Sequence, residues 1–293
     1  MTQSQNPAPM KGQESRAILA VAFTAVLWSS AGLCVKVIDW NPFVIAGFRS
    51  FIAGLTMLIC IRRPVFTFSF PQIAAGVANA MTMVLFISST KLTTAANAIL
   101  IQYSAPVLVA VFGWLILREK PRWEHWASLV FISTGICVFF FDKVGAGNRL
   151  GDLIALGSSF TFALQSIFLR KQKDGSPAES MMIAHAIAAL ISIPFICMYP
   201  PTFTLKATGA ILFLGVFQVG IASLFFAYGI KRIPALHTML IATLEPVLNP
   251  VWVFLLIGEQ PSLNALIGGF IIMASVTLCS IVSARRDSNR GTR

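Results

Sequence analysis

Charged side chains are scarce in this chain of 293 residues, of which Asp, Glu, Lys and Arg together make up 11%. Soluble domains contain about 25% of these residues, so the chain is not an ordinary soluble domain. Hydrophobic residues account for 56%, and the mean hydropathy is +0.78. The apolar stretches recur along the chain at about the 20 residues that a membrane-spanning helix needs. The composition therefore indicates a polytopic membrane protein.

Motifs of the common enzyme classes are also missing. The chain has no G-x-S-x-G, H-E-x-x-H or P-loop pattern, and its three histidines are scattered. The five cysteines form no C-x-x-C pair and fall in five different apolar segments, which favours packing roles over a metal site or a disulfide framework. We expect no catalytic activity, no metal and no cofactor.

Ten apolar segments predict ten transmembrane helices, joined by short connections rich in Pro, Gly, Asn and Asp. The segments are continuously apolar and lack the alternation of a transmembrane barrel, so the expected fold is all-α. The predicted helices are Arg16–Lys36, Pro42–Ile61, Pro71–Thr90, Ala95–Leu117, Glu124–Phe141, Gly151–Arg170, Glu179–Tyr199, Lys206–Gly229, Ala235–Ile257 and Ser262–Ala284.

The Lys and Arg residues that give the net charge of +11 are unevenly distributed between the two predicted sides of the membrane. If the N-terminus is cytoplasmic, sixteen Lys and Arg residues lie in inside segments, and the outside segments hold only Lys36, Lys91, Lys143, Arg149 and Lys206. This positive-inside bias places both termini in the cytoplasm. It favours contact with anionic membrane lipids and gives no support to nucleic-acid binding.

A stretch late in the first half of the chain recurs late in the second half. Residues 86–121 align without a gap on residues 226–261 at a constant offset of 140, and about a third of the positions are identical. Apolar composition alone matches Leu with Leu, but it does not keep Pro106 in register with Pro246. The alignment therefore indicates an internal repeat.

The repeat divides the chain into two five-helix halves, residues 1–145 and 146–293. Because five is an odd number, the fourth helix and its copy, the ninth, cross the membrane in opposite directions, and the halves are inverted repeats. Inverted repeats are characteristic of secondary transporters, which bind substrate near mid-membrane at the repeat interface. We expect a central cavity lined by helices one, three and four and their copies six, eight and nine.

These features resemble the EamA-type branch of the drug/metabolite transporter superfamily. The resemblance covers nearly the whole chain. It rests on the ten spans in two halves, on "AVLWSSAG" in the first helix, and on the twin stretches "APVLVAVFGWLILREKP" and "EPVLNPVWVFLLIGEQP". Within the superfamily the chain is similar to bacterial exporters of aromatic amino acids and metabolites. The resemblance implies a carrier of the bacterial inner membrane that works by alternating access.

Glu245 lies inside the ninth predicted helix, where a charged group costs about 2.5–3.5 kcal/mol. The equivalent residue of the first half is Ala105, so the carboxylate breaks the symmetry of the repeat. Its open roles are proton coupling, binding of a substrate ammonium, and a purely structural role. His237 shares a polar stripe with Glu245 at steps of four residues. Arg49, inside the second helix, is a candidate partner for Glu245 or for a substrate carboxylate; capping of carbonyls within the bundle is the alternative.

Pro106, Pro246 and Pro250 are candidate hinge or gating residues, because a proline inside a helix lacks an N–H and loosens the preceding turn. Static kinks are the alternative. Glu119 and Glu259 occupy equivalent positions at opposite membrane faces. We expect each to accept backbone N–H groups at the start of the following helix.

Polar residues in the middle of the core helices are expected to face the interior and, with aromatic neighbours, to wall a pocket for an amphipathic solute. Each polar residue has the alternative of a simple interhelical hydrogen bond. The predicted cavity residues are Trp28, Ser29, Asn79, Met83, Gln102, Tyr103, Phe162, Gln165, Phe217, Gln218 and Glu245.

The predicted function is export of a small-molecule substrate, either amino acids, aromatic ones among them, or related metabolites, by a monomeric secondary transporter. One alternative is an exporter of drugs or cationic compounds from the same superfamily. The other is a channel-like or sensory membrane protein, which the paired helix interruptions of inverted repeats disfavour.

Overall fold

The structure is a computed structural model that describes residues 11–30, 34, 38–93, 98, 101–141, 148–173, 175–257 and 263–290. In this part of the chain all regular structure is helical, and ten helices are present when the two segments of the ninth are taken together. The helices are α1 (Lys11–Ser29), α2 (Pro42–Ile61), α3 (Phe70–Leu92), α4 (Ala105–Leu117), α5 (Trp123–Phe140), α6 (Arg149–Lys171), α7 (Pro177–Met198), α8 (Leu205–Arg232), α9a (Ala235–Ala242), α9b (Leu244–Ile257) and α10 (Leu263–Arg290).

Six of the described helices are long and apolar enough to cross a membrane. The apolar segments of the sequence predict most helix ends to within three residues, and both ends of α2 coincide with the prediction. The six spans are Pro42–Ile61, Phe70–Ser89, Arg149–Lys171, Pro177–Met198, Leu205–Arg232 and Leu266–Ser283.

Helix packing follows the internal repeat. Helix α3 packs along α6, and their copies α8 and α1 pack on each other in the same way. Likewise α3 contacts α7 as α8 contacts α2, while α5 packs on its own copy α10 and α2 on its own copy α7. Each of these contacts thus has an inverted counterpart, and the two halves form one bundle of inverted five-helix repeats.

Several helix ends meet at one face of the bundle. Gly229, near the end of α8, lies against Ala17, near the start of α1. Arg170, at the end of α6, contacts Glu119, just after α4. We call this side, where α1 begins and α4, α6 and α8 end, the N-terminal face.

The fourth helix is broken just before its proline. Ile101 is helical, Tyr103 and Ser104 form a turn, and α4 begins at Ala105. The N–H and the hydroxyl of Ser104 both bond to the carbonyl of Ile101, at 3.0 and 2.7 Å. A proline ring clashes with the carbonyl four residues earlier in a continuous helix. The turn removes this clash for Pro106, and the hydroxyl satisfies a carbonyl that the turn releases.

The ninth helix is broken by the same device. Helix α9a ends at Ala242, Thr243 forms the turn, and α9b begins at Leu244. The N–H and the hydroxyl of Thr243 both bond to the carbonyl of Leu240, at 3.3 and 2.6 Å. Inside a membrane a freed carbonyl needs such a substitute donor. Pro246 then falls in the first turn of α9b, where its missing N–H has no helical partner to lose.

The prediction of one continuous helix was therefore wrong for both segments. Each is divided two or three residues before its proline, because the prolines and the nearby hydroxyl side chains stabilise a turn inside an apolar run. The helical backbone of α9b continues through Pro250, so no break accompanies that residue. All eight residues of α9a are buried, and the broken helix lies inside the bundle.

Helix α8 contains a π-helical stretch, Leu214–Ile221. It packs on α2, where a Cβ added to Gly215 would lie 2.4 Å from the Cβ of Ile52 and one added to Gly220 would lie 3.0 Å from the Cβ of Thr56. The close approach of the two helices therefore requires glycine at position 215. Such π stretches are frequent at functional sites, and the apolar pattern of the sequence predicts only an ordinary helix here.

Candidate functional site

The two helix breaks are joined by a hydrogen bond. The phenol of Tyr103 donates to Oε2 of Glu245 over 3.2 Å. Tyr103 lies in the turn before α4, and Glu245 is the second residue of α9b. Both side chains are half-buried. The unwound points of the two halves thus face each other, and their contact forms the centre of the candidate site.

The start of α9b provides a favourable position for the Glu245 carboxylate. The first N–H groups of a helix have no helical acceptor, and its N-terminus carries a partial positive charge. Glu245 lies in that first turn. A continuous ninth helix would offer no such environment, so the break at Thr243 lowers the cost of an acidic residue inside the membrane.

Arg49, which the sequence suggests as a partner for Glu245 or for a substrate carboxylate, lies in α2. Its guanidinium interacts electrostatically with Glu245 and with His185 of α7. Among the described residues, it forms no ion pair, and its enclosed Nε has no hydrogen-bond partner. His185 is fully buried, and its Nε2 is 3.2 Å from the Ser223 hydroxyl. The predicted pairing of Arg49 with Glu245 is therefore absent from the ion pairs and hydrogen bonds of the described residues.

Trp28 of α1 forms an aromatic wall. Its ring centroid lies 6.5 Å from that of Phe162 in α6 and 5.1 Å from that of Phe226 in α8. The Gln218 side chain, in the π stretch, donates to the Trp28 carbonyl over 3.5 Å. These contacts bring three of the predicted cavity residues together, namely Trp28, Phe162 and Gln218.

Trp252 of α9b was missed by the sequence analysis. Its indole N–H donates to the hydroxyl of Ser29, a predicted cavity residue, over 2.7 Å. This bond ties α9b to the end of α1. Trp252 occupies the position of Phe112 in the first half. The exchange of a ring without a polar atom for an indole, within an otherwise apolar run, is the signal that could have identified it.

Three predicted cavity residues carry a buried polar atom for which the described part of the chain provides no hydrogen-bond partner. The atoms are Asn79 Nδ2, Gln165 Oε1 and Gln218 Oε1. An unsatisfied buried polar atom costs about 1–3 kcal/mol. These atoms are therefore among the groups of the bundle interior that a polar solute or water can satisfy.

The remaining predicted cavity residues have other surroundings. Gln102 donates to the Ser158 hydroxyl over 3.2 Å and ties the first break to α6. Met83 is half-buried in α3. Phe217 differs from the expectation, because it is 46% exposed and stacks on Phe213 at 5.6 Å. Successive helical residues point in widely different directions, and the buried Gln218 leaves its neighbour Phe217 on the outside.

His237 lies in α9a, before the break. Its Nε2 is 3.3 Å from the Ser280 hydroxyl of α10, and its ring centroid is 5.8 Å from that of His125 in α5. The predicted stripe of i+4 positions between His237 and Glu245 is interrupted by the turn at Thr243. These contacts place His237 on the α5–α10 side of the bundle.

A hydrogen-bonded network links both halves at the N-terminal face. Glu119 Oε1 accepts from Arg170 Nε over 2.6 Å, and Glu119 Oε2 accepts from the backbone N–H of Ala235 over 3.2 Å. Arg170 Nη1 also donates to the carbonyls of Ile230 and Lys231. Glu119 does accept an N–H at a helix start, but the helix is α9a rather than the predicted next helix, because the inverted repeat brings α9a beside the end of α4. Glu259 lies outside the described residues.

Two further openings lie away from the centre. A cavity of about 190 Å³ adjoins Glu119 and His125 at the N-terminal face. A groove of about 380 Å³ between α2 and α7 is lined mainly by apolar side chains, among them Phe51 and Leu55. Neither opening is lined by a predicted cavity residue.

Two inverted repeats with helices broken at equivalent positions, facing each other across a partly polar interior, define a secondary transporter. The chain belongs to the EamA-like transporter family, whose sequence profile matches residues 15–141 and again residues 149–281. The family membership inferred from the twin proline stretches is thus confirmed. The protein is a multi-pass membrane transporter of a small molecule and not an enzyme.

Known relatives extend over most of the chain. YwfM of Bacillus subtilis (strain 168), described as an uncharacterized transporter, is 24% identical over 282 residues, covering 92% of this chain and 95% of its own length. Solute carrier family 35 member G1 of Homo sapiens is 24% identical over 277 residues, covering 86% of this chain and 75% of its own. A solved structure described as "Crystal structure of protein" has a TM-score of 0.80 at 21% identity and covers 92% of this chain and 100% of its own. That likeness concerns the fold alone.

Proposed function

We propose that the protein exports amino acids, aromatic ones among them, or related small metabolites across the bacterial inner membrane. The observation that carries the proposal is the Tyr103–Glu245 hydrogen bond between the two broken helices. Broken helices present free backbone groups and helix ends to polar substrates at mid-membrane. The aromatic wall around Trp28 suits the apolar part of an amphipathic substrate.

Glu245 has two roles in this proposal. Its carboxylate can bind a substrate ammonium, because it is half-buried and Tyr103 engages only one of its oxygens. The same carboxylate can take up a proton when the substrate is absent, which would couple export to proton entry. Both roles require a charge change or a charged partner inside the membrane, where an acidic residue is usually functional.

The proposed mechanism is rocking of two repeat units, residues 1–145 and 146–293, around this centre. The breaks before Pro106 and Pro246 serve as hinges. The positive-inside bias supports a cytoplasmic N-terminal face with both termini on that side. Opening to the cytoplasm then requires separation of the Glu119–Arg170 pair, which ties the two units together. The transporting unit is a monomer, since each monomer contains both halves.

Export of organic cations is the second candidate. A carboxylate near aromatic rings is a favourable environment for a cation. Arg49 argues against this candidate, because its positive charge interacts with the same carboxylate.

The test is counterflow in proteoliposomes that contain the purified full-length protein. The panel contains phenylalanine, tyrosine, leucine and the cation tetraphenylphosphonium, each with and without a pH gradient. Saturable flux of an amino acid that is accelerated by unlabelled amino acid on the opposite side supports the proposal. Saturable flux of the cation alone identifies the second candidate, and non-saturating flux contradicts a carrier.

The Glu245→Gln variant separates the two roles of the carboxylate. If Glu245 couples protons, the variant retains exchange and loses its response to a pH gradient. If Glu245 binds the ammonium only, the variant loses affinity and any pH response of residual flux remains. If the Glu245→Gln variant keeps both the affinity and the pH response of the wild type, Glu245 takes no part in substrate binding or proton coupling. Asp39→Asn, in an exposed loop, is the control for loss of a carboxylate.

A further inference from the structure

The groove between α2 and α7 has apolar walls and two polar residues on its enclosed side. Its volume is about 380 Å³, near the lower end of the range of small-molecule pockets. Of the described residues that line it, only Ser50 and His185 have polar side chains. Both are fully buried, whereas the lining residues Phe51 and Phe68 are 58% and 67% exposed. Because α2 and α7 are apolar spans, the exposed side of the groove faces the lipid.

Each of the two polar residues has a buried atom without a hydrogen-bond partner in the described part of the chain. The atoms are Oγ of Ser50 and Nδ1 of His185, while Nε2 of His185 lies 3.2 Å from the Ser223 hydroxyl. Other hydroxyl groups of the same two helices donate to a carbonyl of their own helix, as Thr56 does in α2 and Ser192 in α7. A buried polar atom is costly when it lacks a partner, so a ligand that bonds to both atoms would bind favourably.

The groove exists because α2 and α7 approach each other more closely at Gly47 than at Gly54. A Cβ added to Gly47 would overlap the Ser192 hydroxyl, so the helices touch there. Two turns later, a Cβ added to Gly54 would lie 3.9 Å from the Cβ of His185, which is an ordinary contact distance. The opening is therefore a product of helix packing, and it lies between one helix from each half of the chain.

The chemistry of the two atoms favours a neutral hydroxyl group as their partner. A serine hydroxyl both donates and accepts, and Nδ1 of a neutral imidazole does one or the other according to its tautomer. A ligand hydroxyl also does both, so it can bond to Ser50 and His185 in either tautomer. A charged ligand would be costly at this depth, since no Lys, Arg, Asp or Glu is among the described residues that line the groove.

We propose that the α2–α7 groove binds small apolar alcohols or phenols that enter it from the lipid bilayer. The ligand hydroxyl bonds to Ser50 and His185, and the hydrocarbon part lies against the apolar walls. Neither Tyr103 nor Glu245 lines the groove. The groove is therefore a second binding site, distinct from the contact between the broken helices, and the proposal does not depend on the transported substrate.

The test uses a photoreactive alcohol, 4-[3-(trifluoromethyl)diazirin-3-yl]benzyl alcohol, which loses N₂ on illumination and inserts into a neighbouring residue. The full-length protein in nanodiscs is labelled over a range of probe concentrations, and the labelled residues are identified by mass spectrometry. We expect saturable labelling of groove residues such as Leu55 and Ile183. Labelling of Leu190, an exposed residue of α7 outside the groove lining, should rise in proportion to the probe concentration.

Competitors that share one hydrocarbon part show what the groove recognises. The alcohol 4-isopropylbenzyl alcohol is compared with its methyl ether and with the hydrocarbon 1-isopropyl-4-methylbenzene. Two analogues with a permanent charge are 4-isopropylbenzenesulfonate and (4-isopropylbenzyl)trimethylammonium. At equal concentration in the bilayer, we expect the alcohol to compete at least about fivefold better than every analogue, because each analogue loses a hydrogen bond or brings in a charge.

Variants connect the labelling to the groove. Ser50→Ala should weaken competition by the alcohol at least about fivefold and leave the melting temperature of the unliganded protein unchanged or raised, because an unsatisfied hydroxyl is removed. Ala186→Phe, at an exposed position in the groove lining, should fill the groove and abolish saturable labelling. The matched controls are Ser88→Ala, which removes a hydroxyl bonded within α3, and Leu190→Phe. Neither control should alter labelling of the groove.

Several outcomes would overturn the proposal. Labelling of the groove that does not saturate would do so, and so would equal competition by the hydrocarbon, which would make the groove a surface for lipid acyl chains. Equal competition by the charged analogues contradicts a neutral ligand, and unchanged competition in Ser50→Ala contradicts the assigned hydrogen bond. If Ser50→Ala does not fold, the comparison of the alcohol with its methyl ether on the wild-type protein decides the question. Because these assays measure binding, their outcome is independent of the proposed transport function.

Discussion

The phenol of Tyr103 and the carboxylate of Glu245 are 3.2 Å apart and link the break of one repeat to the break of the other. The repeat offset pairs Tyr103 with Thr243 and Glu245 with Ala105. An inverted copy of the contact would join Thr243 to Ala105, which has no polar side-chain atom. This bond therefore breaks the symmetry of the repeat. It lies at the interface of the two halves, where carriers of this architecture bind their substrate.

Tyr103→Phe removes the phenol and keeps the ring. We expect the free energy of unfolding to fall by about 1–1.5 kcal/mol, because the half-buried Glu245 carboxylate loses a donor that water replaces only in part. Substrate affinity should change with it. Thermal unfolding and transport assays measure the two effects. Tyr199→Phe, at an exposed position after α7, should change neither, and a Tyr103→Phe protein that matches the wild type in both contradicts the role of the bond.

The Glu119–Arg170 pair should hold the N-terminal face closed. Its side chains are 26% and 12% exposed, so loss of one partner leaves a poorly solvated charge. We expect Glu119→Gln and Arg170→Met each to lower stability by about 1–3 kcal/mol, and the double variant to cost clearly less than the sum of the two. Additive effects in this cycle would show that the pair is not coupled.

The same pair can be examined through accessibility. A single cysteine replaces Leu236, which is 5% exposed and lines the cavity beside Glu119, in a background without the five native cysteines. A membrane-impermeant maleimide should label it faster when Glu119→Gln is added. Asp39→Asn, added to the same background, should leave the labelling rate unchanged, and equal rates for Glu119→Gln would contradict a gating role.

Pro106→Ala and Pro246→Ala should slow transport without unfolding the protein. Alanine supplies an N–H and removes the ring that clashes with the preceding turn, so each broken segment can close into a continuous helix. We expect the turnover rate to fall by about tenfold, or about 1.4 kcal/mol in the barrier, with the melting temperature unchanged or raised. Pro194→Ala is the control, because this proline lies inside α7 and away from both breaks. If both variants turn over at the wild-type rate, the two prolines act only as static kinks.

Gly215→Ala tests the approach of α8 to α2. The added Cβ would lie 2.4 Å from the Cβ of Ile52, so the helices must separate. We expect a loss of about 1–3 kcal/mol of stability, as overpacking usually costs. Gly209→Ala in the same helix meets no atom within 4 Å. It should be neutral or stabilise the helix by up to about 1 kcal/mol, and equal effects of the two substitutions would contradict the packing argument.

The sequence predicts the helices and the repeat well because both depend on signals along the chain. Apolar runs of bilayer length mark the spans, and Pro106 and Pro246 mark the segments that break. The exact turns are less accessible. They depend on Ser104 and Thr243, whose hydroxyl and N–H groups bond to the carbonyl three residues earlier. The two positions differ by one residue in the repeat register, and other Ser and Thr residues occur throughout the apolar runs.

The contacts of the site are harder still to predict. Nothing in the local sequence of Trp252 specifies Ser29 as its acceptor, and nothing near Glu119 specifies Arg170. The π stretch around Gln218 arises from the packing of α8 on α2, where the glycines permit a close approach. Polar residues such as Gln102 and Gln165 look equivalent in sequence, although one is bonded to Ser158 and the other keeps an unsatisfied oxygen.

The sequence by itself determined that this chain is a membrane protein of two inverted halves, with prolines in equivalent helices and one acidic residue that has no copy. These properties follow from composition and from the register of the repeat, because apolar runs of bilayer length form helices in a membrane. The tertiary structure decided which groups meet: Tyr103 with Glu245 at the breaks, Trp252 with Ser29 at the end of α1, and Glu119 with Arg170 at one face. Such meetings depend on how ten helices pack in three dimensions, and no spacing along the chain encodes them.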